Sequence, residues 1–253
     1  MAAVLISGAI VAWSIGVARM RGMDDGPGTD LGGLGWYLGI WLTMMAAMML
    51  PSVAPMVLLF SRVSGERARR GARLVPTWIF VAAYFVVWTA YGLAAYAIYR
   101  LATALDTDVL SWERAGAYVA GAAIAAAGVY ELTPLKRVCL RHCRSPLHYV
   151  LFGWRGGRVG ALRMGLEHGM YCVGCCWGLM VILFALGVMS LLWMAAVGVV
   201  IFVQKVLPGA ERLAIPFAVV FVGLGLWVAS APEHVPGLTP PGGAPSMHMS
   251  PMK

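Results

Sequence analysis

A short stretch of this sequence combines side chains that bind soft metal ions. Cys172, Cys175 and Cys176 follow His168 within nine residues, in an otherwise apolar segment. An α-helix turns by about 100° per residue, so His168, Cys172 and Cys175 would share one stripe with Cys176 beside it. Thiolate and imidazole groups together are ligands of a soft metal, Cu(I) first and Zn(II) second. The spacing therefore predicts a metal site on a single helix.

A second apolar segment contributes thioether sulfur. Met45 and Met49 are four residues apart, and Met48 lies between them. Counted at about 1.5 Å per residue from the ends of their segments, the methionines and Cys175-Cys176 reach similar depths in a membrane. We expect the two groups to share an ion. The alternative is that these methionines and cysteines only pack a helical core, as both residue types commonly do.

A third group of cysteines lies in a basic segment between apolar runs. Cys139 and Cys143 are four residues apart with His142 between them, so a helical segment would allow them to chelate a metal. The alternative is two ordinary cysteines beside the membrane. Near the end of the chain, Met247, His248 and Met249 form another soft-ligand group, which either captures Cu(I) loosely or has no role.

The composition is that of a membrane protein. Of the 253 residues, 60% are hydrophobic and 12% are charged, and the mean hydropathy is +0.79. A soluble domain would have about a quarter of its residues charged. We therefore predict an all-α polytopic transmembrane helical bundle. The net charge of +8 does not indicate a nucleic-acid partner, because the basic residues cluster in loops between apolar spans.

Apolar runs of about 20 residues are needed to cross a bilayer. We predict seven such spans, at residues 2–18, 36–60, 76–99, 112–133, 164–186, 190–206 and 213–231. Residues 1–231 would then form a single transmembrane helical domain. Residues 232–253 are rich in Pro and Gly, and we expect them to form a disordered external tail.

The basic residues predict the orientation of the bundle. Fourteen of the 19 Lys and Arg residues lie in the segments 61–75, 134–163 and 205–212. Loops rich in Lys and Arg stay in the cytoplasm, so the asymmetry predicts a cytoplasmic N-terminus and an external C-terminus. The first span lacks a basic leading region and a small-residue cleavage site, and we expect it to be retained.

Local signals predict how the spans are joined. Pro134 should end or kink the fourth span near its cytoplasmic end. A tight turn near residues 187–190 should separate the fifth span from the sixth. Residues 146–163 mix aromatic, apolar and basic side chains, which predicts an amphipathic segment on the cytoplasmic leaflet that is broken by glycines.

Two acidic residues lie near the same boundary and allow two interpretations. Glu131 and Glu167 are either proton acceptors or ion-pair partners of Lys136 and Arg163. The sequence leaves both open. Ionisable groups at membrane depth are costly, and they commonly mark a functional site.

Three segments resemble a prokaryotic family of predicted metal-binding integral membrane proteins (domain of unknown function 2182). They are the methionine segment 41–51, the segment 132–146 with its Thr-Pro-Leu-Lys start, and the cysteine segment 165–180. The resemblance covers residues 36–231 and implies metal binding in a multi-span fold. The resemblance leads us to expect the pair Glu-Lys at the end of the sixth span, but this chain has Gln204-Lys205 there.

These observations predict a membrane protein that binds a soft metal ion and carries it or hands it over across the bacterial cytoplasmic (inner) membrane. Copper as Cu(I) is the expected ion, with zinc as the alternative. The competing functions are a membrane metalloenzyme or thiol-redox protein, and an accessory subunit of a larger complex. Expected partners are the lipid bilayer, the metal ion, and a soluble metallochaperone or membrane subunits. The sequence has no nucleotide-binding glycine loop, which disfavours an ATP-driven pump.

Overall fold

The computed structural model describes residues 1–20, 31–104, 116–187, 190–207 and 209–236. These residues confirm the predicted all-α fold. The α-helices are α1 (Ala2–Met20), α2 (Leu34–Arg69), α3 (Thr77–Ala104), α4 (Ala117–Tyr130), α5 (Pro134–Arg144), α6 (Pro146–Phe152), α7 (Gly157–Leu186), α8 (Leu191–Val206) and α9 (Ala214–Ser230). Short 3-10 helices cover Ala210–Leu213 and Pro232–His234.

Several of these helices are compatible with a membrane protein. Helices α1, α2, α3 and α7 are long and apolar enough to cross a bilayer, and α4 with α5 adds a fifth if the bent pair is one span. Helices α8 and α9 are apolar but have only 16 and 17 residues. A helix lies at each of the seven predicted positions, while the number of membrane crossings stays a prediction.

The fourth predicted span is interrupted before the proline. Helix α4 ends at Tyr130, and α5 starts at Pro134 in a direction bent by 65°. Thr133 has extended backbone angles, and its side-chain oxygen accepts a hydrogen bond from the Lys136 N–H. The proline disfavours helical geometry at the preceding residue, and Thr133 then serves as the N-cap of a new helix. The predicted break is confirmed.

Glycines end the other segments. Gly187 has φ of +111°, and its carbonyl accepts a hydrogen bond from the Ser190 N–H, which confirms the predicted turn. The predicted amphipathic segment 146–163 is divided, because α6 ends before Gly153 and α7 begins at Gly157, where φ is +76°. Residues 157–163 therefore belong to the first turns of the long helix α7.

Helix α7, which contains three of the cysteines, contacts four other helices. It packs against α3, α4, α5 and α8, while α2 packs against α1, α3 and α8. The approach of α3 to α7 requires glycine. A Cβ on Gly165 would collide with the Phe80 carbonyl and lie 2.7 Å from the Ala83 Cβ. This contact places Tyr84, the next residue of α3, beside α7.

Aromatic side chains fix α2 and the α6–α7 connection. The Trp41 indole donates a 2.9 Å hydrogen bond to the Trp88 carbonyl and thereby joins α2 to α3. Farther along α2, Phe60 stacks against Phe80 and also against Trp154, which follows α6. Ring pairs of this kind contribute about 0.5–1.5 kcal/mol beyond the area that they bury. They hold the connection against the bundle.

Two lysines of the basic segments lie inside the bundle. Lys205, which falls in both the predicted sixth span 190–206 and the basic segment 205–212, belongs to the last turn of α8 and is 8% exposed. Lys136, in another basic segment, is 2% exposed. Both side chains have buried acidic or thiol partners and so remain inside the bundle rather than in water.

Candidate metal centre

Three thiols meet inside the bundle. The sulfur atoms of Cys172, Cys175 and Cys176 lie within 4.8 Å of one another, and all three residues are buried on α7. The Cys175 and Cys176 sulfurs are 3.3 Å apart. Around a trigonal ion with metal–sulfur bonds of about 2.3 Å, sulfurs would be about 4 Å apart. The thiols therefore fit one soft ion after small side-chain adjustments.

A fourth sulfur comes from α5. The Cys143 sulfur lies 3.8 Å from that of Cys175, and all five cysteines are free thiols. Cys139 is also buried, but its sulfur faces α7 at Gly174, where an added Cβ would lie 2.7 Å from it. Of the two cysteines predicted to chelate together, Cys143 contacts the thiol group and Cys139 packs beside Gly174.

Two polar groups contact Cys172 from other helices. The Lys205 ammonium of α8 donates a hydrogen bond to the Cys172 sulfur at 2.8 Å, and the Tyr84 hydroxyl of α3 is 2.9 Å from the same atom. A cation this close stabilises a thiolate over a thiol. Neither contact was predicted from the sequence. The one available signal was a lysine at the end of an apolar helix.

The methionines of α2 lie near Lys205, and Met49 contacts it. Met45, Met48 and Met49 are all buried, and the Met49 sulfur is 3.9 Å from the Lys205 ammonium. Met48 packs against Gly198 of α8, where an added Cβ would lie 3.3 Å from the methionine side chain. The structure thus brings Met49 next to the thiol group through a shared contact with Lys205.

His168 lies one helical turn before Cys172 and is 3% exposed. Among the described residues, the group whose ligand atoms lie within 4.8 Å of one another consists of the three thiols and does not include this imidazole. The rings of Phe80, Tyr84 and Tyr149 surround it at centroid distances near 6 Å. Its Nδ1 atom has no hydrogen-bond partner among the described residues. The histidine is therefore close to the thiols and offers an unpaired nitrogen.

A second buried polar group borders the site. Glu131 and Lys136 form a salt bridge in which both side chains are 2% exposed. The Gln204 side chain accepts a hydrogen bond from Lys136 at 3.0 Å and donates one to Glu131 at 2.8 Å. Of the two interpretations of Glu131, the ion-pair partner is confirmed. This network fixes α8 against the α4–α5 bend, next to Lys205.

The other acidic residue is also an ion-pair partner. The Glu167 carboxylate forms salt bridges with Arg155, at 2.9 Å, and with Arg163, at 3.3 Å. The side chains of Arg155 and Arg163 are 40% and 67% exposed, and that of Glu167 is 37% exposed. Each salt bridge is therefore close to the surface and contributes little to stability.

The predicted soft-ligand group at 247–249 lies outside the described residues.

The arrangement suits a soft, low-coordinate ion. Sulfur ligands favour Cu(I) and zinc over hard cations, and the three thiols lie within the buried hydrophobic core. A family model described as PpoB2, copper chaperone, matches residues 38–228 of the chain. Neither a curated protein nor a solved structure matches it.

Proposed function

The chain belongs to the PpoB2 family of copper chaperones, and from this premise we propose a function in copper transfer. In this proposal the chain is an integral membrane protein that binds one Cu(I) ion in its thiol group. It then hands the ion over across the cytoplasmic membrane. The ion is the cargo of the protein. His168, Met45, Met48, Met49 and Cys139 are proposed to assist the thiols, as ligands of the ion on its way in or out.

The observation that supports this proposal most strongly is the buried group of three thiols. Cys172, Cys175 and Cys176 supply three sulfurs within 4.8 Å of one another from two turns of one helix. A packing role would not require thiols at three adjoining positions. Copper bound by thiolates in a buried site is held as Cu(I), because soft sulfur ligands favour that oxidation state.

Further sulfur atoms that lie next to the thiol group support the proposed hand-over. Cys143 on α5 contacts Cys175, and Met49 on α2 contacts Lys205, so neighbouring sulfurs extend away from the thiol group in two directions. A carrier needs several sites of moderate affinity, because an ion that is held too well at one site never leaves. A closed enzyme site would need an open coordination position for substrate instead.

The binding test uses the whole protein, purified without oxygen in detergent. We expect about one copper ion per chain and much less zinc. Cys172→Ala should lower the copper affinity by about ten- to a hundredfold or more, since even losses around a ligand have effects of that size. Cys139→Ala is the comparison variant. It removes a buried thiol that lies outside the group of three and should leave the equilibrium copper affinity unchanged, because a ligand used only in transit does not hold the resting ion. Wild-type copper content in the Cys172/Cys175/Cys176→Ala variant would refute the proposal.

The transfer test uses proteoliposomes with a Cu(I) chelator trapped inside. Wild-type protein should deliver copper from an external Cu(I) complex to the trapped chelator, and protein-free liposomes should not. If the wild-type protein binds copper and never delivers it at any gradient, the accessory-subunit or enzyme alternative is favoured.

A further inference from the structure

A cavity of about 320 Å³ opens between α5 and α6, and it is lined by His142, the residue before Cys143. Its lining includes Arg141, His142 and Ser145 from the end of α5, and His148 from α6. The volume is far larger than an ion requires, so the cavity admits a hydrated or ligand-bound ion. The two histidines give it groups that bind Cu(I).

His142 is prepared to act as a ligand. Its Nδ1 atom lies 3.0 Å from the Val138 carbonyl oxygen, which can only accept, so the neutral ring has its proton on Nδ1. The lone pair then lies on Nε2. Metal-binding histidines commonly donate their other N–H to a backbone carbonyl in this way. The ring also stacks on Tyr171 at 4.1 Å with the planes 7° apart, which limits its motion.

His142 also adjoins the thiol group. The next residue, Cys143, has its sulfur 3.8 Å from that of Cys175, and Tyr171 directly precedes Cys172. His142 and Cys143 thus each contact α7 within two turns of one another, His142 at Tyr171 and Cys143 at Cys175. His168, whose Nδ1 has no hydrogen-bond partner among the described residues, lies three residues before Tyr171 on α7.

We propose that this cavity is the mouth through which Cu(I) enters or leaves the thiol group, and that His142 binds the ion transiently before or after Cys143. The inference rests on the proposed copper function. In the inward step a Cu–S bond to Cys143 forms as the Cu–N bond to His142 breaks, and a thiol proton, where present, passes to solvent. Copper remains Cu(I) throughout, so no oxidant or reductant is consumed.

The hydroxyl next to the mouth stays protonated. Burial, and then the Glu167 carboxylate, raise the pKa of Tyr149. Tyr149 accordingly donates to the Met164 carbonyl at 2.8 Å rather than competing for the ion as a phenolate. Its ring lines the cavity, and the hydrogen bond holds this wall of α6 against α7.

The test measures rates in both directions. Protein in detergent is loaded without oxygen from a complex of Cu(I) with bathocuproine disulfonate, and release is followed after an excess of the same chelator is added. A transient ligand lowers the barrier for entry and exit alike. His142→Ala should therefore slow loading and release by the same factor, about tenfold or more, and leave the copper stoichiometry and the Kd unchanged. His142→Met, which restores a Cu(I) ligand, should recover the rates.

Two further variants make the result decisive. His234→Ala removes an exposed histidine in the 3-10 helix after α9 and should leave both rates unchanged. Ser145→Trp fills the cavity without removing a ligand and should slow both rates, which tests the mouth even if His142→Ala does not fold.

Unchanged rates in both His142→Ala and Ser145→Trp would overturn the inference. Faster release with unchanged loading would also overturn it, because His142 would then belong to the resting site. Wild-type protein that takes up no copper would refute the proposed function itself, which distinguishes the two failures.

Discussion

The ammonium group of Lys205 donates a hydrogen bond to the sulfur of Cys172 across 2.8 Å, and it joins α8 to α7 in the interior of the protein. Both residues are buried. Before copper arrives, the lysine provides a positive charge that stabilises the thiolate. Each member of the pair compensates the desolvation of the other, so the loss of one leaves the other buried without its partner.

The first prediction follows from this pair. Lys205→Met should destabilise the metal-free protein by about 1–3 kcal/mol, because Cys172 loses a charge-assisted hydrogen bond and takes up a proton as a buried thiol. In a Cys172→Ala background the same change should have a smaller effect, with a coupling energy of about 0.5–3 kcal/mol. Thermal unfolding in detergent measures the four proteins of this cycle.

The control for the cycle is Cys139→Ala. Lys205 donates no hydrogen bond to Cys139 among the described residues, and the two changes should add within about 0.5 kcal/mol. Equal coupling with Cys139 and with Cys172 would contradict a specific Lys205–Cys172 pair.

Much of the fold could be predicted from the sequence, because its signals are local. The break at Pro134 follows from the steric effect of proline on the residue before it, and the turn at Gly187 from a φ that glycine readily adopts. The three cysteines of α7 meet because helical spacing alone brings residues three and four apart together.

The partners of these cysteines could not be predicted in the same way. Cys143, Tyr84 and Lys205 reach the thiol group from 32, 88 and 33 residues away, so their contacts depend on how the helices pack. Angular spacing placed His168 on the same stripe as Cys172, four residues away. The imidazole instead packs near the rings of Phe80, Tyr84 and Tyr149, which come from other helices, and its role as a ligand stays a prediction.

The second prediction concerns the approach of α3 to α7. Gly165→Ala places a methyl group against the Phe80 carbonyl, and α3 must move away. Overpacking of this kind costs about 1–3 kcal/mol. Tyr84, four residues after Phe80, should then lose its contact with Cys172, and copper affinity should fall together with the melting temperature.

Gly223→Ala is the matched control for that change. It adds the same methyl group to an exposed position on α9, where nothing lies within 4 Å. It should leave copper affinity unchanged and stability equal or slightly higher, since alanine favours a helix. A fall in copper affinity with both variants would show that the α3–α7 contact is not the cause.

The third prediction concerns the Glu131–Lys136 salt bridge. Glu131→Gln should destabilise the protein by about 3–5 kcal/mol, because the Lys136 ammonium stays buried without a countercharge. Combining Glu131→Gln with Lys136→Met removes both charges and should recover much of the loss. Glu66→Gln is the surface control, since its pair with Arg70 is exposed and contributes about 1 kcal/mol or less. A double variant less stable than Glu131→Gln alone would contradict this account.

The last prediction tests whether the two short helices cross the membrane. At about 1.5 Å per residue, α8 and α9 are about 24 and 26 Å long, somewhat less than a hydrocarbon core of about 30 Å. If both cross, the chain changes sides at each of α7, α8 and α9. A cysteine at the exposed positions Phe152 and Arg212 should then react with a membrane-impermeant maleimide from the cytoplasm alone, and one at His234 from outside alone. If α8 and α9 only dip into the bilayer, Arg212→Cys and His234→Cys would both react from outside, and five spans would replace seven.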